Sequence, residues 1–262
     1  MPLPIQQVVT FAGTPFHGSP AFVLSLDHPR PVALLQEVCR ELRDFVLAVL
    51  SVDGDDIDLR FVTPHGIHAG PGHATHAAAF VALKRLKPGS SLDLRIEGGG
   101  RRRARIEDGL VAVDWPAMPL SSIDQVAELA RCLGRTPLET FQSTFGLIAV
   151  FSDDAEIAAL RPDFAQLALL AADTVMVTSP ATGADFAIRV FAPKIGLPED
   201  PVCGTAHRIL VPYWADRFGR SGLVSHQLSA RGGVLHCRIV GDIVTIAGEA
   251  VSFLDGVIDL SD

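Results

Sequence analysis

The strongest constraint on how this chain folds is a unit that it uses twice. Leu59-Arg60-Phe61-Val62-Thr63-Pro64 aligns with Ile188-Arg189-Val190-Phe191-Ala192-Pro193, and Gly72-His73-Ala74 aligns with Gly204-Thr205-Ala206 once three extra residues are allowed in the second loop. Each copy reads strand, Pro, polar loop, Gly, helix. A duplication of this period predicts two similar halves, 1–115 and 122–262, with the last strand free to return to the first half.

Apolar spacing fills in the elements around that unit. In the first half it predicts strands at 5–11, 20–26, 45–51, 57–63, 92–97, 102–107 and 110–115, with helices at 32–43 and 73–86. In the second it predicts helices at 122–133, 154–171 and 204–218, and strands at 146–151, 173–178, 185–191, 225–230, 234–240 and 243–253. Arg101-Arg102-Arg103 follows a Gly-rich turn and reads as a solvated hairpin edge.

Composition narrows the function. With 48% hydrophobic and 20% charged residues the chain has ample material for a core. Twenty-two basic against thirty acidic side chains, a formal charge of −8, argue against a nucleic-acid partner. Apolar stretches are interrupted well short of a membrane span. The opening MPLPIQQVVTF has no basic-then-apolar leader. Cys39, Cys132, Cys203 and Cys237 are scattered without paired spacing, as in reduced cytoplasmic proteins.

The chemistry concentrates in the two loops. A helix that starts at Gly presents unpaired N–H groups and the positive end of its dipole, which together grip a carboxylate or stabilise a developing enolate. Gly72 and Gly204 allow close backbone approach. His73 stands at the first helix start, where a neutral imidazole is favoured. Asp200 precedes the second Gly and reads as either a helix-capping carboxylate or a site group. Cys203 stands directly before Gly204, where the helix end is expected to lower its thiol pKa, although a buried, inert thiol is the commoner role. His65, His68, His73 and His76 also form a histidine-rich stretch, which allows a metal-dependent hydrolase as an alternative.

The motifs Phe61-Val62-Thr63-Pro64 with Gly72-His73-Ala74-Thr75, and Glu199-Asp200-Pro201-Val202-Cys203-Gly204-Thr205-Ala206-His207, resemble the phenazine-biosynthesis PhzF-like isomerases of the diaminopimelate-epimerase and proline-racemase superfamily. Val9-Thr10-Phe11 and Gly18-Ser19-Pro20-Ala21 are similar to that family's first strand and turn. The resemblance implies an α+β fold of two pseudo-symmetric halves, each a curled, mostly antiparallel sheet around a central helix, with the site between them. It implies proton transfer without a cofactor on a small carboxylate-bearing metabolite, often in a homodimer.

Carried over residue by residue, His73, Asp200 and Thr205 are polar site residues. Backbone groups of Gly72, His73, Gly204, Thr205 and Ala206 bind the substrate carboxylate. Two positions depart from the pattern. Where phenazine-precursor isomerases carry a glutamate the chain has Leu42, so Glu41 or Asp44 takes that role through a shifted register, or the base is absent. Loss of that base would leave a metabolite-binding relative without catalysis. Cys203-Gly204-Thr205 in turn resembles the thiol element of epimerases and racemases, but Pro71 occupies the place of a partner thiol.

Overall fold

The computed structural model describes residues 2–43, 46–53, 56–68, 70–87 and 89–260. Its elements follow in chain order as β1 (Leu3–Thr10), β2 (Ser19–Leu26), α1 (Val32–Glu41), β3 (Leu47–Asp53), β4 (Asp56–Thr63), β5 (Gly66–His68), α2 (Gly72–Val81), β6 (Ser91–Ile96), β7 (Gly100–Glu107) and β8 (Leu110–Pro116). Next come β9 (Ser121–Ser122), α3 (Val126–Leu133), β10 (Glu139–Gln142), β11 (Leu147–Val150), α4 (Asp154–Ala159), α5 (Phe164–Ala168), β12 (Val175–Pro180) and β13 (Phe186–Phe191). The chain ends with α6 (Gly204–Phe218), β14 (Gly222–Gln227), β15 (Gly233–Val240), β16 (Ile243–Gly248) and β17 (Ala250–Ile258). Two compact units result: Met1–Asp114 with Ala247–Asp262, and Trp115–Ile246.

In the first unit β17, β1 and β2 pair antiparallel, β2 and β3 parallel, β3 and β4 antiparallel, β4 and β6 parallel, and β6, β7 and β8 antiparallel. Each parallel step is a helical crossover, through α1 and α2. The Ala-rich α2 is apolar around its whole circumference and is correspondingly buried, touching β1, β2, β3 and β17. On the other sheet face α1 sets Leu35, Val38 and Cys39 against Leu24, Leu47, Val49 and Val62.

The second unit repeats that order of pairings. β10 and β11 run antiparallel, β11 and β12 parallel, β12 and β13 antiparallel, β13 and β14 parallel, β14 and β15 antiparallel. Helices α3, α4 and α5 pack on one face through Leu129, Leu133, Ile157 and Leu167. α6 buries Ile209, Leu210, Val211 and Trp214, and meets β14 and β15. The duplication legible in two short motifs thus extends to the pairing pattern of both units.

Several expected boundaries move. Ser121-Ser122 pairs with Phe141-Gln142, and Thr140 holds the Ile123 carbonyl through its hydroxyl, so α3 begins only at Val126. Pro162 interrupts the expected helix at 154–171, which becomes α4 and α5. Within β7 the arginine run is paired on the β6 side alone, since β8 joins only from Ala104 onward, and Arg101 and Arg103 meet Asp56 and Asp93.

Two glycines are demanded by close approach in the first unit. Gly18 has φ +63°, and a Cβ there would lie 2.2 Å from the Thr10 carbonyl oxygen. At Gly248 a Cβ would lie 2.6 Å from the Phe11 ring. Phe11 cannot retreat freely, since its N–H bonds the Glu249 carbonyl at 2.7 Å and its ring covers His76 at 4.7 Å. Gly248→Ala is expected to cost about 2 kcal/mol through overpacking, read as a lowered midpoint in urea denaturation.

Candidate active site

The second loop is built around two adjacent acids with opposite surroundings. Glu199 receives both arms of the Arg189 guanidinium, at 2.8 and 3.0 Å, while the same arginine donates to the Ile157 and Leu160 carbonyls. Asp200 has no cation partner among the described residues. Burial and the neighbouring Glu199 charge raise its carboxyl to about 6, against the opposing pull of the nearby Cys203 thiol and Val202 amide.

The thiol contradicts the expectation drawn from its place at a helix end. Burial and the facing Asp200 carboxylate push Cys203 well above the ordinary thiol range, and the amides of Thr205 and Ala206 do not offset them. Cys203 therefore carries its proton at neutral pH. It is no thiolate.

The turn under this pair is tied at several points. The Cys203 N–H donates to Gln227 Oε1 at 2.9 Å, and Gln227 Nε2 donates to the Asp200 carbonyl at 2.8 Å. Ser229 Oγ donates to the Pro201 carbonyl at 2.6 Å. His207, fully buried, meets the Cys203 carbonyl through Nδ1 at 2.8 Å and Ser225 Oγ through Nε2 at 2.9 Å. A carbonyl only accepts, so Nδ1 carries the hydrogen.

At the first loop the Thr75 hydroxyl donates to the Pro71 carbonyl at 2.9 Å. Pro71 aligns with Cys203 and Thr75 with His207, so both copies secure the same carbonyl from the same helical position. His76 Nδ1 meets the Gly72 carbonyl at 2.9 Å, and His68 Nδ1 accepts the Gly70 N–H at 3.1 Å. His73 is partly exposed, and burial with the nearby His76 and His68 lowers its imidazole to about 4. The neutral ring expected there is present, with desolvation as its main cause.

The metal-dependent alternative is not favoured. Among the described residues no three His, Cys, Asp or Glu side chains are grouped to hold a metal, and His76 and His68 turn Nδ1 toward the backbone.

Thr205 lies partly exposed in the first turn of α6, between the buried Gly204 and Ala206, so Asp200, Cys203, Gly204, Thr205 and Ala206 come together at one helix start. Gly72 and His73 open α2 in the other unit. Glu41 is exposed at the last residue of α1, while Leu42 packs on the apolar cluster beneath that helix. Asp44 lies outside the described residues. Gln227, Ser225 and Ser229 had no signal in the loop motifs, because they reach the turn from β14 and the segment after it. His207 could have been found from its place four residues after Cys203.

Two units of this pairing pattern, each with a buried helix, define the fold of the diaminopimelate-epimerase and proline-racemase group. A hydroxyproline epimerase from Agrobacterium vitis superposes with a TM-score of 0.60 at 13% identity, over 100% of this chain and 93% of that one. Within the group the chain belongs to the phenazine biosynthesis-like (PhzC-PhzF) family, whose model matches residues 8–256. It is an isomerase of that family. An uncharacterized isomerase of Pseudomonas aeruginosa is 39% identical over the full length of both chains. A PhzF-family structure from Enterococcus faecalis gives a TM-score of 0.94 at 32% identity, covering 99% of this chain and 100% of that one.

Proposed function

We propose that the protein moves a proton on a small carboxylate-bearing metabolite, as a cofactor-independent isomerase or epimerase. The observation that carries this reading is the Asp200–Cys203 pair at the start of α6. A carboxyl near 6 is mostly ionised at pH 7 yet basic enough to take a proton from an activated carbon. The neutral thiol beside it adds no competing charge. First-turn amides of α6 and the helix dipole stabilise the negative charge left on the substrate. The proton then returns to a second carbon in an isomerisation, or to the same carbon with inverted configuration in an epimerisation. His73, neutral at working pH, is the polar group that we assign to holding or reprotonating the substrate.

Leu42 supports giving the base role to Asp200, since the position where phenazine-precursor isomerases carry a glutamate holds an apolar side chain packed on the core. Four buried cysteines without a disulfide support a cytoplasmic setting. Exposed Phe16, Phe253, Leu254 and Val257 support a homodimer. No helix among the described residues is long and apolar enough to cross a membrane.

The test is deuterium uptake from D2O into a panel of amino and hydroxy acids chosen by thermal shift. The wild type is expected to label at least one of them, with an acid limb near pH 6. Asp200→Ala should slow labelling about 100-fold or more, the usual worth of a general base, and Cys203→Ala should also reduce it. Labelling that survives both changes overturns the assignment.

A further inference from the structure

We infer that Gln227 is a positioning residue for the Asp200–Cys203 pair, closing the turn between them from both ends with a single buried amide. This rests on the proposed proton-transfer reading of that pair.

Gln227 ends β14 and is 1% exposed. Its backbone is fixed between two strands, opposite Ile188 on β13 and Gly233 on β15, so its side chain reaches the turn from a rigid support. The two groups that it meets make opposite demands. The Asp200 carbonyl needs a donor and the Cys203 N–H needs an acceptor, and a primary amide supplies both from adjacent atoms. The closed ring fixes the backbone from the Asp200 carbonyl to the Cys203 N–H, and with it the directions from which the Asp200 carboxylate and the Cys203 thiol leave the chain.

Opening this ring lets the carboxylate leave the thiol and lets water reach it, and the carboxyl then falls back toward its ordinary value. The charged and titratable groups around it are few. Glu199, paired with Arg189, still adds to the rise, Cys203 stays protonated, and from α6 His207 is bound to the Cys203 carbonyl and Ser225. Gln227 itself adds no charge from β14, where the alternation of the strand turns His226 to the other face.

Two substitutions separate positioning from simple support. Gln227→Met keeps the length and removes both hydrogen bonds. Gln227→Glu mimics the amide only while protonated: ionised, it offers no donor to the Asp200 carbonyl and sets a negative charge beside the carboxylate. The measurements are 13C titration of the aspartate carboxyls, with Asp200→Asn to identify the signal, and the pH profile of deuterium exchange. Thermal melts confirm folding.

For Gln227→Met the Asp200 inflection is expected to drop by at least one pH unit, with kcat for exchange falling about tenfold or more and KM little changed. Gln227→Glu should approach the wild-type rate at pH 5 and lose about tenfold against it by pH 8. A folded Gln227→Met protein whose Asp200 inflection and kcat match the wild type overturns the inference. So does a Gln227→Glu rate that stays in constant ratio to the wild type from pH 5 to 8, which decides the matter if the Met variant fails to fold. If the wild type labels no substrate, the proton-transfer reading falls, and the carboxyl titration alone still decides whether Gln227 orients Asp200.

Discussion

Arg189→Leu should destabilise the protein by about 3–5 kcal/mol, the usual cost of removing one partner from a buried ion pair. The arginine side chain is 10% exposed and that of Glu199 20%, so water cannot replace the guanidinium at either end. Its loss leaves the Glu199 carboxylate uncompensated and takes one donor each from the Ile157 and Leu160 carbonyls at the end of α4, which keep the Leu160 N–H and Arg161 Nη1. It also removes the cation that lies 5.0 Å from the Phe191 ring centre. Equilibrium denaturation in urea would show the loss as a lowered midpoint at similar slope. The double change Arg189→Leu with Glu199→Leu should recover much of the stability, because an apolar pair carries no stranded charge. A single-variant loss below about 1 kcal/mol would mean that solvent reaches the pair.

The second large effect appears only when stability is followed against pH. Asp200 titrates at about 6 in the native protein against 3.8 as a free side chain, so between those values the native state keeps a proton that the unfolded chain has released. Stability from this group is full below pH 4 and is lost as pH rises through 6. His73 acts in the opposite sense, titrating at about 4 against 6.5. Over that interval the unfolded chain binds a proton that the native protein refuses, so stability grows as pH rises and is complete above 6.5. Each displacement corresponds to about 2–3 kcal/mol at 1.36 kcal/mol per pH unit. In the wild type the two contributions largely cancel between pH 4 and 6.

Single substitutions should uncover them. Asp200→Asn is expected to gain stability steadily from pH 4 to 6.5 and to exceed the wild type by about 2–3 kcal/mol at pH 7. His73→Gln should instead lose stability from pH 4 to 6. Urea midpoints at intervals of half a pH unit would measure both. Profiles parallel to the wild type in either variant would show that the group is as well hydrated folded as unfolded.

The repeated strand-loop-helix unit was legible because it is local: a Pro that ends a strand and a Gly that begins a helix act within a few residues. α6 follows this logic, opening at Gly204 and closing at Gly219 in the left-handed conformation. β5 and β10 were not legible, because three or four residues carry too little alternation, and their pairing is decided by β4 and β11 across the sheet. The site divided in the same way. Asp200, Cys203 and Thr205 sit in one short motif and could be named from it. The protonated state of Cys203 could not, because it depends on burial and on the direction of the Asp200 carboxylate, neither of which is written in residue spacing.

β17 gives the first unit a particular order of manufacture. It pairs with β1 from Leu3 opposite Ile258 to Thr10 opposite Ala250, joining strands that are made before and after the whole of the second unit. The second unit is one continuous stretch and has all of its own strands before translation ends. The first must hold β1 unpartnered on one side until β17 has been made, with an open strand edge in the interim. Deleting β17 would therefore strike β1 harder than the second unit that immediately precedes it in the chain.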